Sequence, residues 1–206
     1  MTELPKIWDE IFRKQGIVFT EPHAAMPGLV RLLKSMRART VLDFGSGSGR
    51  HVIYLAKAGL SVFGLDNSLR GLQFTKEWLK REGLSANLLL GDMTEKLPYS
   101  DNFFDAIITV QVIHHTRIAV IRFLIGEMWR IIKRGGVLFV TVPMSKNPKL
   151  TYEQIELDTY TPLNGREQGL PHHYFTPKEL YAEFNHFQII GIHVDATRHY
   201  CLFGRK

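Results

Sequence analysis

The chain has 206 residues, 45% hydrophobic and 22% charged, with a formal charge of +6 and a pI near 9.5; that size suits one domain with a sizeable core. No apolar run approaches the roughly 18 residues a membrane span needs, the N-terminal MTELPKIWDE lacks the pattern of a signal peptide, and a lone cysteine, Cys201, excludes an internal disulfide and fits a reducing cytoplasm. Lys and Arg are spread without a dense block, so the basic balance reads first as a solvated surface and second as an affinity for anions such as RNA.

Residues 5–14 place Ile7, Trp8, Ile11 and Phe12 at helical spacing, with Pro5 in the first turn. A second helical pattern follows Pro27: Leu29, Val30, Leu32, Leu33 and Met36. Both precede the first strand, and they are too short to form a domain of their own. Residues 41–44 then form an apolar run that includes Asp43 and leads into Gly45, Gly47 and Gly49, and Val52, Ile53, Leu55 and Ala56 continue as a helix. This reads as strand, tight glycine turn and helix, the first unit of a doubly wound α/β domain. Gly59 stops that helix. Residues 61–66 form the second strand, ending in Asp66, and Ser68 caps a helix that runs to about Glu82 and stops at Gly83. Residues 87–90 and 105–110 are strands three and four, with Gly91-Asp92-Met93 after the third. A long helix carries Ile118, Ile121, Leu124, Met128, Ile131 and Ile132, with Lys133 and Arg134 at its C-terminal end. Gly135-Gly136 turns the chain into strand five, residues 137–142. The pattern is one of five strand-helix alternations, and its strands are nearly continuous apolar runs, as in a parallel sheet buried on both faces. Residues 143–171 are polar, with Ile155 and Leu157 at the spacing of a short strand. An insertion of this length after a sheet strand is more often functional than not. Thr176-Pro177 opens a helix to about Phe184, and residues 187–194 and 200–203 suit a hairpin.

Dinucleotide-binding turns follow G-x-G-x-x-G. Here the sixth position of that pattern is Arg50, and the pattern present is D-x-G-x-G-x-G over residues 43–49. It resembles the first motif of the class I S-adenosylmethionine-dependent methyltransferases. The run GSGSGRHVIYLAKAGLSVFGLDNS is similar to the small-molecule branch of that superfamily, including its tellurite-resistance and ubiquinone-biosynthesis types. The likeness spans about residues 38–142. It implies a Rossmann-like methyltransferase fold: a doubly wound, seven-stranded, mostly parallel sheet ending in an antiparallel strand pair. In a single domain of residues 1–206, the resemblance makes 1–38 an N-terminal helical cap and 39–142 the cofactor-binding core. Residues 143–175 become an acceptor-side insertion, and 176–206 the C-terminal helix and hairpin. Plain core packing accounts equally well for the N-terminal helices.

In open α/β sheets, ligands bind outside the carboxyl ends of the strands. Those ends carry Asp43 with Gly45, Ser46, Gly47 and Gly49, then Asp66-Asn67, Asp92-Met93 and Gln111. The set suits S-adenosyl-L-methionine, a sulfonium without phosphate, better than it suits a dinucleotide. The glycine turn admits the ligand against the backbone, and Asp66 can take both ribose hydroxyls. Asp92 can accept the adenine amino group with Met93 packed on the ring. Asp43 orients the turn and reaches the methionyl end through water, and carbonyls near Val110 and Gln111 take the ammonium. Each carboxylate, taken singly, also suits a helix or turn cap. The product would be S-adenosylhomocysteine.

Methyl transfer from a sulfonium is an in-line displacement in which positioning contributes about 7–11 kcal/mol, and a base is needed only where the acceptor must lose a proton. Gln111-Val112-Ile113-His114-His115 stands where enzymes acting on exocyclic base amines carry Asn/Asp-Pro-Pro-Tyr/Phe. Cys201 lies far from the relevant strand ends, against a cysteine-dependent pyrimidine mechanism. The candidate bases are His115 and, in the cluster Leu170-Pro171-His172-His173-Tyr174-Phe175, His173. The first serves equally as a capping or packing group, the second as part of a polar loop. Two adjacent histidine pairs lack metal-ligand spacing, so no metal is expected. The expected function is methyl transfer to a small-molecule acceptor by a monomer or homodimer, without membrane insertion. Two alternatives stand beside it. One is a tRNA or rRNA methyltransferase, since GLPHHYFTPKEL is similar to the tail of wobble-uridine carboxymethyl methyltransferases. The other is a non-catalytic module that holds the cofactor or a partner protein.

Overall fold

The computed structural model describes residues 7–92 and 94–206, so Pro5 and Met93 lie outside the described residues. In chain order the elements are α1 (Ile7–Gln15), α2 (Met26–Ser35), β1 (Thr40–Phe44), α3 (Arg50–Lys57), β2 (Ser61–Asp66), α4 (Leu69–Glu82), β3 (Asn87–Leu90) and β4 (Phe104–Val110). They continue with α5 (Ile118–Ile131), β5 (Ile132–Pro143), β6 (Tyr152–Glu156), β7 (Thr159–Pro162), β8 (His172–His173), α6 (Pro177–Glu183), β9 (Gln188–Val194) and β10 (His199–Arg205). The main sheet has seven strands in the order β3-β2-β1-β4-β5-β10-β9. β1 to β5 pair in parallel, and β10 pairs antiparallel with both β5 and β9.

Successive residues of a strand face opposite sides, and the apolar runs therefore feed two cores. Leu42, Phe44, Ile107, Leu138 and Val140 pack with Leu124, Met128 and Phe184 on the α5 and α6 side. Val41, Ala106, Ile108, Val137 and Phe139 pack with Leu33, Leu55 and Leu79 on the α2, α3 and α4 side. The strand order reverses between β1 and β4, which is the switch point at which open α/β sheets bind ligands.

Three expectations need correction. The long helix ends at Ile131, because Ile132 is already extended (φ −80°, ψ 140°) and pairs with Phe104 of β4. Lys133 and Arg134 are thus strand residues, and Gly135-Gly136 lies inside β5. The cation at the helix end is Lys206, whose Nζ donates to the carbonyls of Trp129 (2.6 Å) and Ile132 (3.0 Å). No helix links β3 to β4 among the described residues. Finally, the insertion is more ordered than a polar loop: β6, β7 and β8 form a second, antiparallel sheet, and His172-His173 is its last strand.

Candidate active site

The chain turns sharply after β1, with φ of +79°, +53° and +92° at Gly45, Gly47 and Gly49. Such values suit glycine alone among residues at ordinary cost. The amides of Gly45 and Ser46 both donate to the Leu65 carbonyl (2.8 and 3.0 Å), which ties the turn to β2. At Gly45 a Cβ would collide with the Val112 side chain. At Gly49 it would lie 2.6 Å from the Thr75 side chain, so this glycine serves the packing of α4 against the turn. Asp66 completes the turn: Gly47 N–H donates to its Oδ2 (2.7 Å) and Ser68 N–H to its Oδ1 (2.8 Å). Burial raises the Asp66 carboxyl above its ordinary value, and these amide donors oppose the rise.

A cavity of about 330 Å³ opens over the strand ends, within the range of small-ligand sites. Gly45, Ser46 and Gly47 line it from the β1 turn, Asp66 and Asn67 from the end of β2, and Asp92 from beyond β3. Gln111 and His115 line it from beyond β4. Asp92 is held by Thr94, whose N–H and hydroxyl both donate to Oδ1 at 2.8 Å. Gln111 has φ +60°, and its N–H donates to Thr141. Trp8, Phe12 and Phe19 add an aromatic wall on the N-terminal side. Arg166 of the insertion stacks 5.9 Å from the Trp8 ring and 5.4 Å from Phe19, joining the two sides.

Asp43 and Gly49 stand behind the lining. Asp43 is buried, and desolvation raises its carboxyl to about 7 against the pull of Arg50 and the Val52 amide. His51 Nδ1 lies 3.9 Å from Asp43 Oδ1. His51 Nε2 accepts from the His23 amide (3.1 Å), so the proton of the neutral ring sits on Nδ1, facing Asp43. Asp43 Oδ2 and Ser46 Oγ are buried without a hydrogen-bond partner among the described residues. Open backbone at the glycines, unsatisfied buried oxygens and three carboxylates fit a cationic ligand without phosphate.

The other end of the cavity is built by β8. The His173 amide donates to the His114 carbonyl (2.8 Å), docking the insertion on the loop after β4. Because a strand alternates sides, His172 lines the cavity and His173 does not. This corrects the expectation for His173. Its Nδ1 engages Thr159 Oγ1 (2.8 Å) and its Nε2 engages Glu179 (3.0 Å), both outside the cavity lining. His172 Nδ1 donates to the Leu170 carbonyl (2.8 Å), and its Nε2 lies 2.9 Å from Glu167 Oε2. His115 stacks edge-on to His172, with centroids 4.7 Å apart, and touches His114 at 3.9 Å. Burial and the neighbouring His172 push His115 down to about 3, so it is neutral. Glu167, Tyr174 and His199 also line the cavity. Glu167 and His199 carry no local sequence signal, because only the fold brings them to the strand ends.

Residues 42–140 match the family described as a methyltransferase domain. Over that segment, just under half of its length, the chain is similar to the class I S-adenosylmethionine-dependent methyltransferases. A demethylmenaquinone methyltransferase of Tropheryma whipplei is 32% identical over 111 residues, covering 53% of this chain and 44% of that protein. The match thus spans less than half the relative's length. Among solved structures, a Pyrococcus horikoshii OT3 protein superimposes with a TM-score of 0.72 at 18% identity, over 95% of this chain and 98% of that one. The 1,6-didemethyltoxoflavin-N1-methyltransferase of Burkholderia thailandensis, with its substrate and S-adenosylhomocysteine bound, gives a TM-score of 0.72 at 18% identity. That alignment covers 98% of this chain and 88% of the other. At such identity the likeness is one of fold. Among the described residues no helix is long and apolar enough to cross a membrane.

Proposed function

We propose that the protein transfers a methyl group from S-adenosylmethionine to a small-molecule acceptor held at the histidine end of the cavity. The observation that carries this reading is one continuous cavity with two chemically distinct ends. The glycine turn and acidic strand ends make one; His115, His172 and Glu167 make the other. The aromatic wall and the insertion sheet enclose it, which favours a small acceptor over a folded RNA. The relative named for demethylmenaquinone and the structure holding 1,6-didemethyltoxoflavin support the same choice.

S-adenosylmethionine supplies a methyl group already activated by its positive sulfur. Gly45, Ser46 and Gly47 admit the ligand to the backbone. Each Asp66 oxygen accepts one amide and keeps a lone pair for a ribose hydroxyl. Asn67 flanks the ribose, Asp92 takes the adenine amino group, and Gln111 offers its carbonyl to the ammonium. Asp43 supplies negative charge from behind the turn. Trp8 and Phe12 exclude water. His115 presents a neutral nitrogen to the acceptor, and the Glu167 carboxylate, held by His172 at 2.9 Å, stands at the same end of the cavity.

Calorimetric titration with S-adenosylmethionine and separately with NAD tests the first half, with Asp66→Ala as control. Micromolar binding of the first ligand alone, lost in the variant, is the expected result. Transfer of tritiated methyl to the small-molecule fraction of a cell extract tests the second. Folded protein that binds no S-adenosylmethionine overturns the proposal, and label confined to RNA replaces its acceptor.

A further inference from the structure

We propose that His114, His115 and His172 form a site for a divalent transition-metal ion at the acceptor end of the cavity. One ring nitrogen from each lies within 4.8 Å of the others. Sequence spacing argues against such a site, because each histidine pair is adjacent in the chain. The fold supplies the third ligand by docking β8 on the loop after β4, through the His173 amide and the His114 carbonyl at 2.8 Å.

A second feature points the same way. His114 is buried, and its Nδ1 has no hydrogen-bond partner among the described residues. A buried polar atom left in this state is costly, and a bound cation would satisfy it. His172 is oriented as a ligand. Its Nδ1–H donates to the Leu170 carbonyl at 2.8 Å, which leaves Nε2 as the donor atom. Metal-bound imidazoles are commonly oriented by such an outer hydrogen bond. Glu167, 2.9 Å from that Nε2, shares a proton with it in the metal-free chain; a bound ion would displace that proton to solvent, and the carboxylate would offset its charge.

Three imidazoles without a thiolate suit Zn²⁺ and its neighbours in the first transition row, and suit Mg²⁺ or Ca²⁺ poorly. Tetrahedral Zn–N bonds of about 2.0–2.1 Å bring ligand nitrogens to roughly 3.4 Å apart, so the three rings close by about an ångström. His115 is the least buried of the three. Three protein ligands leave a fourth position open, and all three rings line the cavity. An oxygen or nitrogen of the acceptor would fill it, with His115 acting as a ligand instead of a base. That last step rests on the acceptor reading above; the metal site itself does not.

The other histidine cluster, His23, Asp195 and Cys201, differs in kind. There the Ala25 amide donates to His23 Nδ1 (3.1 Å), which takes that lone pair and leaves the ring proton on Nε2, facing Asp195 (3.0 Å).

The test is titration of the metal-free full chain with Zn²⁺ by calorimetry and with Co²⁺ by visible absorption, alongside His115→Ala, His172→Ala and the surface control His186→Ala. The expected result is one equivalent of tight Zn²⁺ binding and a cobalt spectrum of low coordination number. Losing an outer partner costs roughly 10–100-fold in metal affinity. Each ligand variant is expected to lose at least that much, and His186→Ala nothing. Where an alanine variant is unfolded by circular dichroism, His115→Gln and His172→Asn replace it. Binding that is absent, or equal in the ligand variants and the native chain, overturns the proposal. S-adenosylmethionine binding, measured separately, distinguishes that failure from failure of the methyltransferase reading.

Discussion

Asp43 is a carboxylate placed where water cannot reach it. Burial lifts it from 3.8 to about 7, with Asp66 adding to the rise and Arg50 and the Val52 amide opposing it. Its other close neighbour is the neutral His51. A folded-state value above the unfolded one means that its contribution to stability is full below pH 3.8 and is lost as pH rises through about 7. Asp43→Asn is therefore expected to gain stability relative to the native chain as pH rises across that interval, as read from urea midpoints. A cationic ligand reverses the preference by favouring the ionised form. Affinity for S-adenosylmethionine is expected to fall below about pH 7, by at most about tenfold per pH unit, as one linked proton requires. Asp43→Asn should flatten the slope in calorimetry. An unchanged slope in the variant would assign the proton to another group.

At the scale of elements, the segment between β3 and β4 shows how a stretch without a helix is held in place. The Arg130 guanidinium on α5 donates to both Glu127 oxygens (2.8 and 2.7 Å), to the carbonyls of Leu97 (3.0 Å) and Tyr99 (2.7 Å), and to Asp101 (2.9 Å). Glu127 in turn accepts the Leu97 amide at 2.8 Å. Replacing Arg130 by Met leaves a largely buried carboxylate and two carbonyls without their donor. A loss of about 3 kcal/mol is expected from urea unfolding, with little change in m value. Arg130→Lys should recover only part, since a point charge cannot reach all the acceptors. Asp92 and Thr94 ride on the same segment, so weaker cofactor binding should accompany the loss.

Across the whole molecule, polar ties join segments far apart in the chain. Asp9 of α1 accepts from Ser68 Oγ and the Arg70 amide, both at 2.8 Å, which sets the aromatic wall over the cavity. Asp195, in the turn between β9 and β10, faces His23 before α2 at 3.0 Å. Burial would raise the Asp195 carboxyl, but the amide and side-chain donors of His199, His23 and Thr197 hold it at about 2. A depressed value means stability that is present above pH 3.8 and lost as pH falls through about 2. Asp195→Asn is expected to cost roughly 1–2 kcal/mol at neutral pH, after allowance for solvent screening. The difference from the native chain should shrink between pH 4 and pH 2 in thermal melts.

The sequence by itself determined the frame. Continuous apolar runs made buried parallel strands, Gly59 and Gly83 stopped helices, and D-x-G-x-G-x-G marked the turn at the first strand end, because these signals are local or periodic. The acidic strand ends were legible for the same reason. Tertiary structure alone decided the rest. It put His172, not His173, into the cavity, because one residue of strand register turns a side chain to the other face. It ended α5 at Ile131, where pairing with Phe104 wins over helical continuation, and supplied Lys206 from the far end of the chain to the freed carbonyls. It also capped α5 from outside, since Glu156 of β6 accepts the Ile118 amide at 2.7 Å. Contacts of this kind join segments that share no local pattern, so they exist only once the sheet has brought those segments together.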